Sequence, residues 1–252
     1  MVDIRITGVT DTPEDQAARQ LKQVFEKEIS NDQDGMIQII PNVLCFGFEV
    51  KDIDLMVIAQ FGSGFVRNIR SKGKRAGRDE LEDYAYRKVF ISNFCFCVEV
   101  KDHRPTEVKF KGSRALVKYK GKWHDATNQN ERQKYTLKAF LEENLGWEPF
   151  ICNFIWFRNI PHDALPDIPH NWLSSDLSLY WILERAFDQK IPSFRQRGSN
   201  EYYSFACSER LEGEAFDEFN KVATFFSEAE NKVGKITRDK LEKIIKSAIL
   251  KD

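Results

Sequence analysis

Between Phe94 and Lys101 the chain reads Phe-Cys-Phe-Cys-Val-Glu-Val-Lys, an apolar run that ends in two charges. Without Gly or Pro, such a run suits a strand buried on both faces. Side chains alternate along a strand, so Glu99 and Lys101 share a face with Cys95 and Cys97. Phe94, Phe96, Val98 and Val100 take the other face. Burying opposite charges costs several kcal/mol unless each is paired or bound to a metal. A second apolar run, Ile53-Asp54-Leu55-Met56-Val57-Ile58, opens with a carboxylate. Asp54 at the mouth of a neighbouring strand, with Glu99 and Lys101, points to a divalent cation and its water.

The rest of the chain supplies the elements around these strands. Thr12-Pro13-Glu14-Asp15 reads as a helix start: a capping Thr, Pro at the first position and an acid three after the cap. The helix is expected to run to about Ile29, with Ala17, Ala18, Leu21, Val24, Phe25 and Ile29 on its inner stripe. Strands are expected over about 37–48, 53–61, 89–100 and 149–157. A charged insertion over 64–88 carries Arg67, Arg70, Lys72, Lys74, Arg75 and Arg78. A second helix over about 130–144 has Leu137, Phe140 and Leu141 inward and Gly146 as its stop. After Phe157, Pro161, Pro166 and Pro169 break the pattern, and helical patterns follow at about 174–188, 213–227 and 237–249. These features divide the chain into an α/β unit over 1–160 and a helical C-terminal region over 161–252.

Composition excludes several alternatives. The chain has 252 residues and balanced charge, with 38 basic and 39 acidic side chains and a net charge of −1. Any nucleic-acid surface must therefore be basic locally. The five cysteines are odd in number and show no CxxC spacing, which argues against a structural zinc and a disulfide scaffold. Four lie in apolar runs, which fits buried free thiols, a reducing compartment and a cytoplasmic protein. No signal peptide and no membrane span are expected. No Gly-rich phosphate loop of the Walker type exists, so an NTPase is not expected.

Phosphodiester hydrolysis needs a positioned water and a cation to neutralise the transition state. Mg²⁺ prefers oxygen ligands and takes one or two carboxylates while keeping several waters. Asp54 and Glu99 supply the carboxylates, the main-chain carbonyl of Val100 a third oxygen, and Lys101 handles the attacking water. Gln133 lies four residues before Leu137 on the core-facing stripe and can reach a metal-bound water or a phosphate. Glu14 precedes Ala17 and Ala18 on the first helix in the same way.

The residues Ile53-Asp54-Leu55-Met56-Val57, Val98-Glu99-Val100-Lys101, Gly121-Lys122-Trp123 and Asn128-Gln129-Asn130-Glu131-Arg132-Gln133 resemble the PD-(D/E)xK nuclease superfamily. More narrowly they are similar to the nuclease-related domain (NERD) family, in which a Gly-x-Trp turn leads to an Asn-x-x-x-Gln-type helix start. Glu14 with Leu21 is a weaker match to that family's acidic first-helix position. The resemblance covers roughly residues 12–158. It implies a restriction-endonuclease-like αβββαβ core, a mixed central sheet flanked by helices, and a Mg²⁺- or Mn²⁺-dependent nuclease cutting DNA in preference to RNA. It also implies a helicase or ATPase partner in bacterial anti-phage defence, while the near-neutral net charge points to affinity borrowed from a partner or from a homodimer. The 45 residues from Asp54 to Glu99 exceed that family's usual spacing and are assigned to the basic insertion. The usual Pro near the Gln helix is missing.

Other readings weigh against these. Glu49 and Lys51 repeat the Glu-x-Lys pattern without an acid-bearing strand before it, and read as a hairpin. Asp52 and Asp102 read as solvated flanks and His103 as an exposed turn residue. Cys95 and Cys97 read as core fillers, since no His is placed to activate them. Trp123 reads as a packing residue at its turn. The lysines and Arg114 between 109 and 122 form a second basic cluster beside the motif. The alternative function is a catalytically silent nuclease-like module that binds nucleic acid or scaffolds a complex.

Overall fold

The computed structural model describes residues 1–226 apart from 8–11, 30–31, 46, 76, 78, 167–170 and 213–215. Arg78, Pro169 and the helical pattern expected over 237–249 lie outside the described residues.

The chain opens with a half-buried strand, β1 (Val2–Ile6), and then helix α1 (Pro13–Glu28). Thr12 caps α1 as expected: its Oγ1 accepts from the Asp15 N–H at 3.1 Å, and Pro13 takes the first turn, where a missing N–H costs nothing. Three strands follow, β2 (Gly35–Leu44), β3 (Asp52–Ser71) and β4 (Ala85–Lys101). A small separate sheet comes next, β5 (Val108–Lys111), β6 (Arg114–Tyr119) and β7 (Lys122–Asp125). Helix α2 (Ala126–Leu145) leads to β8 (Cys152–Phe157) and the two-residue β9 (Trp172–Leu173). The described chain is completed by α3 (Leu179–Gln189), β10 (Ser193–Arg197), β11 (Asn200–Phe205) and a fourth helix whose described turns span 217–226.

The result is an α/β protein with a mixed eight-stranded central sheet. β1 runs parallel to β2, and β2, β3 and β4 are antiparallel in succession. β4 is the central strand. Its other edge is shared: Val89–Ile91 pair with β11, and Phe96–Lys101 pair with β8, both parallel. Between those stretches the buried Asn93 side chain accepts from the N–H groups of Cys207 and Ser208 at 2.7 and 3.1 Å.

The doubly apolar character of β4 places it between two cores. On one face Phe94, Phe96 and Val98 pack with Ala17, Ala18, Leu21 and Phe25 of α1 and with Leu183 and Phe187 of α3. Phe94 and Phe96 stack with centroids 4.3 Å apart, and Phe154 meets Phe96 edge-on at 5.2 Å. On the other face Cys95 and Cys97 pack with Leu137, Phe140 and Leu141 of α2 and with Phe219, Val222 and Phe226. The five cysteines are buried free thiols. Burial pushes Cys45 and Cys152 up to about 12 and Cys95 and Cys97 well above their ordinary value, so they are filler rather than nucleophiles.

Two expectations are corrected. The segment over 64–88 is not a loop inserted between strands. Phe65–Ser71 of β3 pair with Ala85–Ile91 of β4, so most of it is the outer half of one long hairpin. The register shifts between Gln60 and Phe65, and Gly64 sits there at φ 62°, where a Cβ would strike the Phe90 ring at 2.2 Å. That irregularity interrupts the alternation by which a strand is recognised. The region after Ile160, expected to be helical, also contributes β9, β10 and β11 to the central sheet, so a boundary near 160 marks no break in that sheet. Helix α2 starts at Ala126, one turn earlier than expected, because Asp125 caps it through the Asn128 N–H at 2.9 Å. Gly146 ends it in the left-handed conformation, as expected. Among the described residues no helix is long and apolar enough to cross a membrane.

Phe94 is fully buried at the centre of the aromatic stack. Phe94→Ala is expected to lose about 3–5 kcal/mol of stability, read as a lower urea midpoint at unchanged slope. The same substitution at exposed Tyr135 should move the midpoint little.

Candidate active site

The site forms where β3 and β4 part. Their last ladder pair at this end is Leu55 with Val98. One residue beyond, the Asp54 carboxylate takes over from the main chain: its Oδ2 accepts from the Val100 N–H at 2.7 Å. β4 continues alone with β8 as far as Lys101 opposite Phe157. Alternation sets Asp54 with Met56 and Ile58, and Glu99 and Lys101 with Cys95 and Cys97, all toward α2. A strand residue directs its N–H and C=O to the same side, so the Val100 carbonyl also faces the Asp54 side. The Lys101 carbonyl faces the opposite way and accepts from the Arg158 N–H at 3.0 Å.

Helix α2 brings its polar stripe over this opening. Gln133, buried with 1 % exposure, donates from Nε2 to Glu99 Oε2. It lies in the second helical turn rather than at the helix start, because of the earlier cap. Lys101 Nζ donates to Glu99 Oε1 and to Gln129 Oε1, the latter at 3.4 Å. Gln129 is a site residue that the sequence reading missed. The available signal was its spacing, four residues before Gln133 on the same helix face.

The charge balance explains why these groups belong together. Glu99 is 1 % exposed, and its two oxygens carry the Lys101 ammonium and the Gln133 amide. Gln133 Oε1 is buried and has no hydrogen-bond partner among the described residues. The Asp54 carboxyl is pushed up to about 8. Burial is the main cause, followed by the Glu99 charge, with Glu14 adding to it. The Val100 N–H and Lys101 oppose the shift. Glu14 therefore stands near enough to be felt, although its helix packs on the opposite face of the sheet. Asp54, Glu99, Lys101 and Gln133 thus converge on one end of the sheet, and Glu14, at the start of α1, is felt there through its charge.

The donor set fits a hard divalent cation. It offers two mutually repelling carboxylates, a main-chain carbonyl on the same side and an unsatisfied amide oxygen. Among the described residues no three His, Cys, Asp or Glu side chains gather to hold a metal. A cation here would complete its shell with main-chain oxygen and water, which Mg²⁺ accepts and zinc sites generally do not.

The remaining candidates lie around this centre. His103 is half-buried rather than an exposed turn residue. Burial first and Lys101 second hold it below its ordinary value. Asp102 pairs with Arg158 at 3.0 Å. Glu49 and Lys51 are exposed in the β2–β3 connection, where Glu49 pairs with Arg132. The cations of the hairpin arm are carried away from the site. Arg67 donates to the Glu28 carbonyl at 2.9 Å, Lys74 pairs with Asp79 at 3.0 Å and Arg75 with Glu82 at 3.6 Å. The tip of the arm pairs at Ser71 with Ala85, on the order of 40 Å along β4 from Glu99 at ~3.3 Å per residue. A cavity of about 540 Å³ lined by Arg75, Glu82, Arg87 and Tyr203 also lies at that far end.

The raised Asp54 carboxyl makes a signed prediction. Between its ordinary value of 3.8 and about 8 the folded state binds more protons than the unfolded state, so metal-free stability falls as pH rises through that window. Asp54→Asn keeps an acceptor for the Val100 N–H and removes the charge. In EDTA it should melt above wild type at the alkaline end of the window, with the gain shrinking as pH falls. Mg²⁺ should raise the wild-type melting temperature most at alkaline pH and should leave Asp54→Asn little changed.

Compared with protein-family models, curated proteins and solved structures, the chain matches none.

Proposed function

We propose that this chain is a metal-dependent nuclease of the PD-(D/E)xK type, similar to the nuclease-related domain family, acting on DNA in preference to RNA. The observation that carries the reading is the Asp54 carboxylate on the Val100 N–H, with Glu99 beside it holding Lys101 and Gln133. The order α1, β2, β3, β4, α2, β8 supports an αβββαβ core, with the β5–β7 sheet set between β4 and α2.

In this reading Asp54, Glu99 and the Val100 carbonyl would hold Mg²⁺ or Mn²⁺. The bound cation would neutralise developing charge on the phosphoryl oxygens and acidify a water. Lys101, whose ammonium rests on Glu99, would orient the attacking water. Gln133 keeps the Glu99 carboxylate in place and offers its unpaired Oε1 to a water hydrogen. Gln129 gives Lys101 a second resting partner. Glu14 adds negative potential, which favours a cation in the opening. A helicase or ATPase partner and a role in anti-phage defence belong to the same proposal and rest on the family resemblance alone; a homodimer rests on the near-neutral net charge.

One observation favours the second reading, a catalytically silent nucleic-acid-binding or scaffolding module. Both Glu99 oxygens are already satisfied within the protein, as in a structural buried ion pair. Cleavage assays separate the two. Supercoiled plasmid, linear duplex, single-stranded DNA and RNA are incubated with Mg²⁺ or Mn²⁺ and wild type, Glu99→Gln or Lys101→Ala. Cutting that needs metal and drops roughly 10²–10⁴-fold in both variants is expected. Cutting that survives both substitutions places the chemistry elsewhere. A folded protein whose melting ignores Mg²⁺ and which cuts nothing is the silent module.

A further inference from the structure

The second basic cluster is built differently from the first. Along β5 apolar and charged residues alternate, and the registers Val108 with Val117 and Lys118 with Trp123 sort the three strands into two faces. The inner face is fixed. Val108, Ala115 and Val117 pack on Ile155 and Phe157 of β8, and Phe110 meets Trp172 at 4.6 Å. The outer face carries Lys109, Lys111, Arg114, Lys118 and Trp123, together with Leu116 and Asp125. Trp123 is 37 % exposed rather than packed, and Lys109 Nζ lies 4.3 Å above its ring. Lys118 is its direct cross-strand neighbour.

Charge on this face is only partly cancelled internally. Among the described residues no carboxylate pairs with Lys109, Lys111 or Lys118. Asp125, 3.9 Å from Arg114, is engaged in capping α2. The contrast with the arm is direct, since there Lys74 and Arg75 have acidic partners. The tip of the β6–β7 hairpin repeats the pairing of ring and cation. Lys120 and Gly121 make the turn with φ 48° and 81°, and Lys120 Nζ sits 5.1 Å from the exposed Tyr119 ring.

The platform also adjoins the candidate active site. It begins seven residues after Lys101 and ends on Asp125, the cap of the helix that carries Gln129 and Gln133. The Ala115 N–H donates to Thr127 Oγ1 at 2.9 Å, tying β6 to that helix. His103, half-buried, lies in the short connection between Lys101 and β5.

We propose that the outer face of β5–β7 binds single-stranded nucleic acid. An unpaired base stacks on Trp123, while Lys109 and Lys118 hold the phosphates on either side and Lys111 and Arg114 extend the track. A half-exposed indole needs a free base face, which duplex does not offer, and isolated lysines suit backbone phosphates. The proposal takes its setting from the nuclease reading and names its substrate as a strand with unpaired bases, such as a single strand, a flap or a frayed end.

The test is binding in EDTA, so that it does not depend on cleavage. Fluorescein-labelled oligothymidine, oligouridine and a blunt duplex are titrated by anisotropy against wild type, Trp123→Ala, Trp123→Phe and Lys109→Ala/Lys118→Ala. Wild type should prefer the single strands. Trp123→Ala should weaken them by roughly 5- to 150-fold, the loss of one stacked base. Trp123→Phe should recover most of that, which a merely misfolded variant would not. The double lysine variant should lower the slope of log affinity against log salt by roughly 0.7 for each phosphate no longer neutralised. The two sugars separate DNA from RNA. Single-strand binding indifferent to both Trp123 variants, or a wild type that binds no better to single strands than to duplex, overturns the proposal even if the protein cuts DNA. Single-strand binding that depends on Trp123 sustains it even if the protein cuts nothing.

Discussion

The hydrogen bond from the Val100 N–H to the Asp54 carboxylate is the interaction on which the site depends. An antiparallel pair leaves two main-chain groups free where its strands separate, and buried groups of that kind must find partners. Here a side chain from one strand closes the gap, which fixes Asp54 at the divergence and presses it against Glu99. Everything electrostatic follows. Two carboxylates held close out of water repel, one takes up a proton in the absence of a cation, and a lysine and a glutamine are drawn onto the other.

The parts of this arrangement legible in the sequence are those governed by short periods. Period-two alternation on β4 put Glu99 and Lys101 on one face and set Asp54 at the mouth of its neighbour. The helical period put Gln133 on the stripe of Leu137. The Thr12–Pro13 start of α1 was plain because capping chemistry is local. What escaped was set by distant residues. The glycine-bearing irregularity near Gly64 concealed that β3 resumes its pairing beyond it, so a hairpin arm looked like an inserted loop. β10 and β11 join the sheet through pairing with residues more than a hundred positions earlier, which no local pattern announces. Trp123 looked like turn packing because burial is a property of the assembled face.

The two basic clusters show why proximity in sequence is a poor guide to proximity in space. Both flank the Glu99 motif along the chain. A long hairpin carries one to the far end of the sheet, where several of its cations find internal partners. The other folds back on β8 and is tied to the start of α2, and its outer lysines stay unpaired among the described residues. Extended strands move charge away quickly, at ~3.3 Å per residue, whereas a compact meander keeps it in place.

The shared edge of β4 has a consequence for how the molecule opens. One stretch of that edge is closed by β11 and the next by β8, and between them the link is Asn93 holding the main chain of Cys207 and Ser208. A ladder that changes partner midway is a natural seam between cooperative units. The arm with its terminal hairpin can loosen on one side of the seam while the strands that carry Asp54 and Glu99 stay shut. Amides along a single strand would then report two different opening free energies, and the chemistry would sit on the slower side.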